Sequence, residues 1–222
     1  MDHRIQRILI LIALLGGGAA IVASSDAHFV GNHQGYEPAQ PIAFSHRLHA
    51  GELAIDCLYC HYGAERSRHA GIPPARLCMN CHAQVTAARD SVLREEEVAK
   101  AEGREARPIV SPELAKLYDA LGLDSERKRD PQREERPIEW VRVHNLPDFV
   151  YFDHRVHVAR EIACETCHGP VQSMERIRQE SSLAMGFCIQ CHRTNAAEPG
   201  GFAAPPHPPG EHVSTDCASC HF

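Results

Sequence analysis

Every cysteine of this 222-residue chain belongs to one repeated motif, and this restricts the possible folds more than any other feature. The ten cysteines form five pairs with the spacing C-x-x-C, and a histidine follows each pair directly. We number them in chain order as motif 1 Cys57–His61, motif 2 Cys78–His82, motif 3 Cys164–His168, motif 4 Cys188–His192 and motif 5 Cys217–His221. The scheme leaves no cysteine for a structural disulfide.

C-x-x-C-H is the attachment signature of c-type haem. Two cysteines on adjacent turns of a short helix can bond both vinyl groups at one porphyrin edge, and the next histidine can bind the iron from one face. Zinc is the competing interpretation, but zinc sites usually use two C-x-x-C pairs per ion, and five pairs do not divide in that way. The thioether cysteines are then Cys57, Cys60, Cys78, Cys81, Cys164, Cys167, Cys188, Cys191, Cys217 and Cys220. The proximal iron ligands are His61, His82, His168, His192 and His221.

Large apolar side chains are scarce, since aromatic residues make up 6% of the chain. A generous core would be hard to build from protein alone, and five haems would supply the missing apolar interior. We therefore predict a mainly α fold with sparse secondary structure, built round a stack of five covalent haem c groups. The net charge of −6 gives no basis for nucleic-acid binding, which normally requires a basic face.

Each haem iron has a second axial position, which electron-transfer haems usually fill with histidine or methionine. An internal repeat supplies candidates: the first histidine turn, Phe44–His49, precedes motifs 1 and 2, and the second, Phe152–His157, precedes motifs 3 and 4. Both read F-x-H-R-x-H, so the two histidines of each lie on roughly one helix face. We predict that the first histidine of each turn binds the haem of the nearest motif, and the second binds the haem of the adjacent motif. The alternative is that one of each pair hydrogen-bonds a haem propionate. The four candidates are His46, His49, His154 and His157.

The fifth distal ligand is less restricted by the sequence. His69 and His144 lie in motif-dense regions and are both candidates, and Met174 and Met185 are weaker ones whose alternative role is packing against porphyrin. The histidines of the proline-rich loop and of the N-terminal region are expected not to be ligands; they are His207, His212, His3, His28 and His33.

The N-terminal segment, residues 1–27, begins with Arg4 and Arg7 and continues into an apolar run from Ile8 to Ala23. Such a segment is either a cleaved signal peptide or a retained transmembrane anchor, and we favour the anchor. The basic flank keeps the N-terminus in the cytoplasm, so the haem domain is expected on the periplasmic side of the bacterial inner membrane.

The rest of the chain divides into a first diheme module over 28–82, an insert over 83–143, a second diheme module over 144–192 and a C-terminal extension with the fifth haem over 193–222. In the charged insert, Ser111 and Pro112 begin a predicted helix with one apolar stripe. The insert is either a solvated connector or a docking arm for a partner subunit. A short strand is expected over 137–152.

The stretches "CLYCHYGAERSRHAGIPPARLCMNCH", "RPIEWVRVHNLPDFVYFDHRVH" and "MGFCIQCHR" resemble the pentahaem cytochrome c subunit of bacterial alternative complex III, over about residues 42–192. Each module separately resembles cytochrome c7 and c3 proteins. The resemblance implies an electron-transfer subunit without catalytic residues, anchored by one N-terminal helix. It also implies membrane and iron–sulfur partner subunits, a quinol-oxidising complex, and a monohaem cytochrome or terminal oxidase as acceptor.

Two other functions remain open. A free periplasmic shuttle would carry the same haems without forming a stable complex. A multihaem reductase would have one iron without a distal ligand, which would bind substrate.

Overall fold

The computed structural model describes residues 3–7, 10–13, 33–194 and 213–221, and residues 3–7 and 10–13 are helical. The helices between 33 and 194 are short. They are α1 Cys57–Cys60, α2 Ala75–His82, α3 Arg89–Glu102, α4 Pro112–Ala120, α5 His154–Val158, α6 Glu165–His168 and α7 Met185–Thr194. A π-helical turn, Arg47–Glu52, and three 3₁₀ turns, Tyr62–Glu65, Val171–Ser173 and Cys217–Ser219, complete the regular structure of the described residues.

The prediction of a mainly helical fold with sparse secondary structure is confirmed. Within the described residues β pairing is limited to two isolated bridges, Leu123 with Arg129 and Val150 with His221. The short strand expected over 137–152 is therefore wrong. Val150 pairs with His221 at a single bridge, and the Val141 backbone bonds instead to the Gln40 side chain, so no continuous ladder forms along this segment.

The predicted insert helix forms as α4. The Ser111 side chain accepts a hydrogen bond from the Leu114 amide, and Pro112 occupies the first turn. The apolar stripe buries Leu117, Tyr118 and Leu121 in one cluster. The sequence pattern thus correctly predicted both the start of this helix and its buried face.

The stripe of α4 packs on the helix that carries motif 2. Ala75, Cys78 and Met79 of α2 lie against the buried cluster, and the Tyr118 hydroxyl donates to the carbonyl oxygen of His82 at 2.7 Å. The Arg127 side chain donates to the next carbonyl, Ala83, at 3.0 Å. This part of the insert therefore supports a haem motif directly, which neither interpretation of the insert anticipated.

A second part of the insert folds back after α3. Gly103 ends α3 in the left-handed conformation, and Arg104 then donates to Glu95 at 2.5 Å. Glu95 also accepts from the Arg107 amide at 2.9 Å. These bonds hold the segment that leads to α4 against helix α3.

The two modules pack against each other through equivalent contacts. The π-helical turn of the first histidine turn packs on the 3₁₀ turn Val171–Ser173, so closely that a Cβ on Gly51 would collide with the Gln172 carbonyl oxygen. In the other direction, α5 packs on the 3₁₀ turn Tyr62–Glu65. Each histidine turn thus contacts the segment that follows the first motif of the other module, an approximate two-fold arrangement like an isologous interface.

Among the described residues no helix is long and apolar enough to cross a membrane. Most of the predicted N-terminal anchor lies outside the described residues.

Replacing Leu117 with Ala is expected to lower the free energy of unfolding by about 2–5 kcal/mol, because Leu117 is 3% exposed and its loss leaves a cavity above α2. Leu93, at 42% exposed, is the matched control, and Leu93→Ala should change stability by no more than about 0.5 kcal/mol. Urea unfolding of both variants measures the difference. Equal effects would mean that the α4 cluster does not stabilise the fold.

The Glu95 contacts predict a pH-dependent stability. The hydrogen bond from Arg104, followed by that from the Arg107 amide, lowers the pKa of Glu95 from 4.5 to about 2. A lowered folded-state pKa stabilises the fold above the unfolded value, and this stabilisation is lost as the pH falls from 4.5 toward 2. We expect Glu95→Gln to lower the thermal midpoint of the helical signal at neutral pH and to have little effect near pH 2. The exposed neighbour Glu96, changed to Gln, should have little effect at either pH.

Candidate haem sites

Each motif lies in a helix or helical turn, and in motifs 1 and 5 an aspartate just before the first cysteine caps that turn. Before α1, the Asp56 carboxylate accepts from the Leu58 amide at 2.7 Å, and before motif 5 Asp216 does the same for Ala218 at 2.9 Å. The histidine that ends motif 1 bonds back to the first cysteine, His61 N to Cys57 O at 2.8 Å. The two sulfurs and the imidazole therefore belong to a single turn, as thioether attachment with proximal ligation requires.

Three motif histidines donate from Nδ1 to a nearby backbone carbonyl. The partners are Gly71 for His61 at 2.7 Å, Val85 for His82 at 2.8 Å and Ser214 for His192 at 3.0 Å. A carbonyl accepts only from a protonated Nδ1, so Nε2 carries the lone pair. This arrangement orients the ring and makes Nε2 a better metal ligand.

The two histidine turns have nearly the same geometry. Phe44 stacks on His49 with ring centroids 4.3 Å apart, and Phe152 stacks on His157 at 4.6 Å. The first histidine of each turn contacts the phenylalanine of its own turn edge-on, with ring centroids 4.9 Å apart for His46 and 4.8 Å apart for His154. One phenylalanine thus fixes both imidazoles of its turn.

The first module carries one more residue than the second between the histidine turn and the first motif. The Ile55 amide bonds to His49 O at 3.0 Å, and the Ile162 amide bonds to His157 O at 3.1 Å, across six and five residues respectively. The π-helical turn absorbs the extra residue, because it uses a wider hydrogen-bonded loop than the α-helix of the second module. The histidines therefore keep equivalent positions despite the insertion.

The distal candidates face proximal histidines at a constant separation. Ring centroids lie 6.1 Å apart for His49 and His82, 6.2 Å for His157 and His192, and 6.4 Å for His154 and His168, and the rings of this last pair are parallel within 11°. A metal–imidazole bond of about 2 Å puts two rings on opposite sides of one metal roughly 6 Å apart. In motifs 2, 3 and 4, the two histidines of each pair would therefore be spaced to hold one haem iron between them.

His46 lies in the same buried region as His61, the motif histidine nearest to it in sequence. Burial, followed by the charges of His61 and His49, lowers the pKa of His46 to about 4. Its Nδ1 is buried and makes no hydrogen bond among the described residues. His46 is therefore neutral at physiological pH, as a metal ligand must be.

His144 does not face His168 across an iron-sized gap. Its Nε2 is 3.1 Å from His168 Nδ1, and the two ring centroids are 4.4 Å apart. Burial lowers the pKa of His144 to about 4 and that of His168 to about 3. His144 therefore occupies the position that a backbone carbonyl takes beside His61, His82 and His192.

The remaining candidates are placed apart from the facing pairs. His69 is exposed, Met185 is exposed at the start of α7, and Met174 is buried where the modules meet, with its carbonyl oxygen accepting from the Arg47 amide. In motif 5 the ring of His221 contacts Phe149, with centroids 5.7 Å apart. The histidines at 28, 207 and 212 lie outside the described residues.

The motifs adjoin one another in the order 2–1–3–4–5. Burial raises the pKa of several thiols, and in each of them a thiol of another motif raises it further. The neighbouring thiols are Cys60 and Cys78, Cys57 and Cys164, Cys167 with Cys188 and Cys191, and Cys188 and Cys220. Hydrogen bonds join the outer motifs to this series: the Asn80 side-chain amide donates to the Tyr59 hydroxyl at 2.8 Å, and the Tyr151 backbone amide donates to Cys220 O at 2.7 Å.

Comparison with known proteins agrees with this geometry. Residues 150–222 match the family described as cytochrome c7 and related cytochrome c. This segment is therefore similar to cytochrome c7-type multihaem domains. It contains motifs 3, 4 and 5, and proteins of that family carry covalent haem c and transfer electrons.

The chain is also similar to a menaquinone reductase subunit of Nitratidesulfovibrio vulgaris, named as the multiheme cytochrome c subunit. The two are 25% identical over 132 residues, which is 58% of this chain and 45% of the relative. The match thus spans under half of the relative's length.

Sequence reasoning did not identify Arg68 as part of a site. Its carbonyl oxygen accepts from His154 Nδ1 at 2.8 Å, which makes it the counterpart of Gly71, Val85 and Ser214. A carbonyl acceptor has no side-chain signature, so no motif could have indicated it.

Substitution of His154 and of His144 should give different results. His154→Leu removes the ring that faces His168, and we expect one haem to become high-spin and to bind carbon monoxide. His144→Leu is expected to leave every haem low-spin and to shift one midpoint potential, since it removes only a partner of His168 Nδ1. Electron paramagnetic resonance and redox titration measure both. A high-spin signal in His144→Leu would instead make His144 a ligand.

Proposed function

We propose that this protein carries five haem c groups and relays electrons within a membrane-bound, quinone-linked respiratory complex. The observation that carries the proposal is the unbroken series of neighbouring motifs, 2–1–3–4–5. A series in which every motif adjoins the next suits transfer of charge from one end of the protein to the other.

In this proposal the ten motif cysteines and five motif histidines hold the haems. His49, His154 and His157 are the distal ligands of motifs 2, 3 and 4, and His46 is the distal ligand of motif 1. When bound, haem supplies one-electron oxidation and reduction at its iron.

The protein residues hold the imidazole rings in fixed orientations. The phenylalanine of each histidine turn and the carbonyl partners at Nδ1 fix the imidazole rings, so little rearrangement accompanies a change of charge. Burial keeps His46 and His168 neutral, so protons do not compete for their lone pairs. Such residues tune and insulate a redox centre and perform no bond chemistry themselves.

A quinone-linked complex is supported by two likenesses. The chain resembles the pentahaem subunit of alternative complex III, and its curated relative is a subunit of a menaquinone reductase. We therefore propose membrane and iron–sulfur subunits as partners, with a monohaem cytochrome c or a terminal oxidase as acceptor. The haem domain would lie on the periplasmic side of the inner membrane, held by the N-terminal segment.

The two likenesses differ in the direction of electron flow. Alternative complex III oxidises quinol, whereas the name of the relative indicates reduction of menaquinone. Because a relay conducts either way, the direction is set by the partners. Isolated complex supplied with a quinol and an oxidised cytochrome should transfer electrons if the first direction holds. Menaquinone reduction from a reduced periplasmic cytochrome, without quinol oxidation, would favour the second.

The relay itself is tested by removing its central haem. In the complex, Cys164→Ala with Cys167→Ala should abolish transfer through the chain, since motif 3 joins motifs 1 and 4. The matched control is Ser173→Ala, which alters an exposed residue near motif 3 and no attachment site. A pyridine haemochrome assay should count five haems in the parent and four in the double variant. Unchanged transfer in the four-haem protein would refute a single series through motif 3.

A further inference from the structure

Arg68 connects the two modules through its backbone. It lies after motif 1, between the 3₁₀ turn Tyr62–Glu65 and α2. Its carbonyl oxygen accepts from the His154 amide at 3.2 Å and from His154 Nδ1 at 2.8 Å. A residue of the first module therefore orients the imidazole that faces motif 3.

The Arg68 side chain makes no hydrogen bond or close ion pair to a carboxylate among the described residues, although its charge contributes to the lowered pKa of Asp153. Its guanidinium lies over the ring of Tyr151, 4.4 Å from the centroid, and its Nε is buried without a hydrogen bond there. The nearby carboxylate of Asp153 accepts instead from the Arg155 amide and guanidinium, at 2.5–3.2 Å. These bonds to Arg155 are the main reason that the pKa of Asp153 falls to about 2.

A buried donor without an acceptor is uncommon and costs stability, so this position suits an anionic ligand. A guanidinium pairs best with a planar group of two oxygens, which a carboxylate provides. Thr166, inside motif 3, has a buried hydroxyl that also makes no hydrogen bond. Each of these two donors thus requires an acceptor, and a haem at motif 3 would bring two propionate carboxylates.

We propose that Arg68 is a carboxylate-binding residue for a propionate of the haem at motif 3. This inference rests on the proposed haem attachment. Arg68 then acts on one haem in two ways: its carbonyl orients His154, and its guanidinium pairs with the propionate. A fixed positive charge beside a haem favours the reduced form and raises the midpoint potential.

Redox titration of the full chain, followed by visible absorption and electron paramagnetic resonance, tests this role. We expect Arg68→Gln to move one midpoint to a lower potential. Arg68→Lys, which keeps the charge, should restore part of that shift. All haems should stay low-spin in both variants, because the backbone carbonyl of residue 68 still accepts from His154. Arg66→Gln is the control, since it removes the same charge from an exposed residue two positions earlier. Equal shifts in Arg66→Gln and Arg68→Gln would overturn the proposal.

The affected haem is identified in the chain lacking the motif 3 cysteines. There Arg68→Gln should shift no remaining midpoint, and a persistent shift would overturn the assignment to motif 3. A haem count distinguishes failure of the proposed function from failure of this inference alone. A protein without five haems contradicts the proposed function, whereas five haems with no Arg68-specific shift contradict only this inference.

Discussion

The separation of about 6 Å between facing imidazoles is the constraint on which the rest of this structure depends. Three pairs hold it to within 0.3 Å, although they join different parts of the chain. Three local features of the chain keep the imidazole rings at that distance. A phenylalanine packs against both histidines of each turn, carbonyl oxygens fix the ring nitrogens, and a π-helical turn absorbs an additional residue without displacing His49.

The protein itself contributes little apolar interior. The buried cluster of Leu117, Tyr118 and Leu121 belongs to the insert and supports the helix of motif 2. The remaining contacts between modules are largely polar or made by backbone, as at Arg47, Arg68 and Gly51. Haems bound at the motifs would supply much of the apolar interior that the described residues lack.

The motif spacing predicted the haem chemistry and the proximal ligands, and the repeat predicted which histidines would face them. Haem attachment and axial ligation stay predictions, and they rest on the way that both restrict residue type and local spacing. His144 illustrates the limit of this reasoning. Its position in a motif-dense segment suggested a distal ligand, but its Nε2 lies beside the Nδ1 of His168, a relation between residues 24 apart in sequence that spacing alone does not specify.

The sequence by itself determined the helical turns at the five motifs, the two histidine turns and the helix at Ser111, because each depends on contacts within a few residues. Tertiary structure decided the spatial order of the motifs, the reciprocal packing of the modules and the placement of Arg68 against His154. These depend on where distant segments meet, and a backbone carbonyl or an unpaired guanidinium acquires its role only from the groups that folding brings beside it.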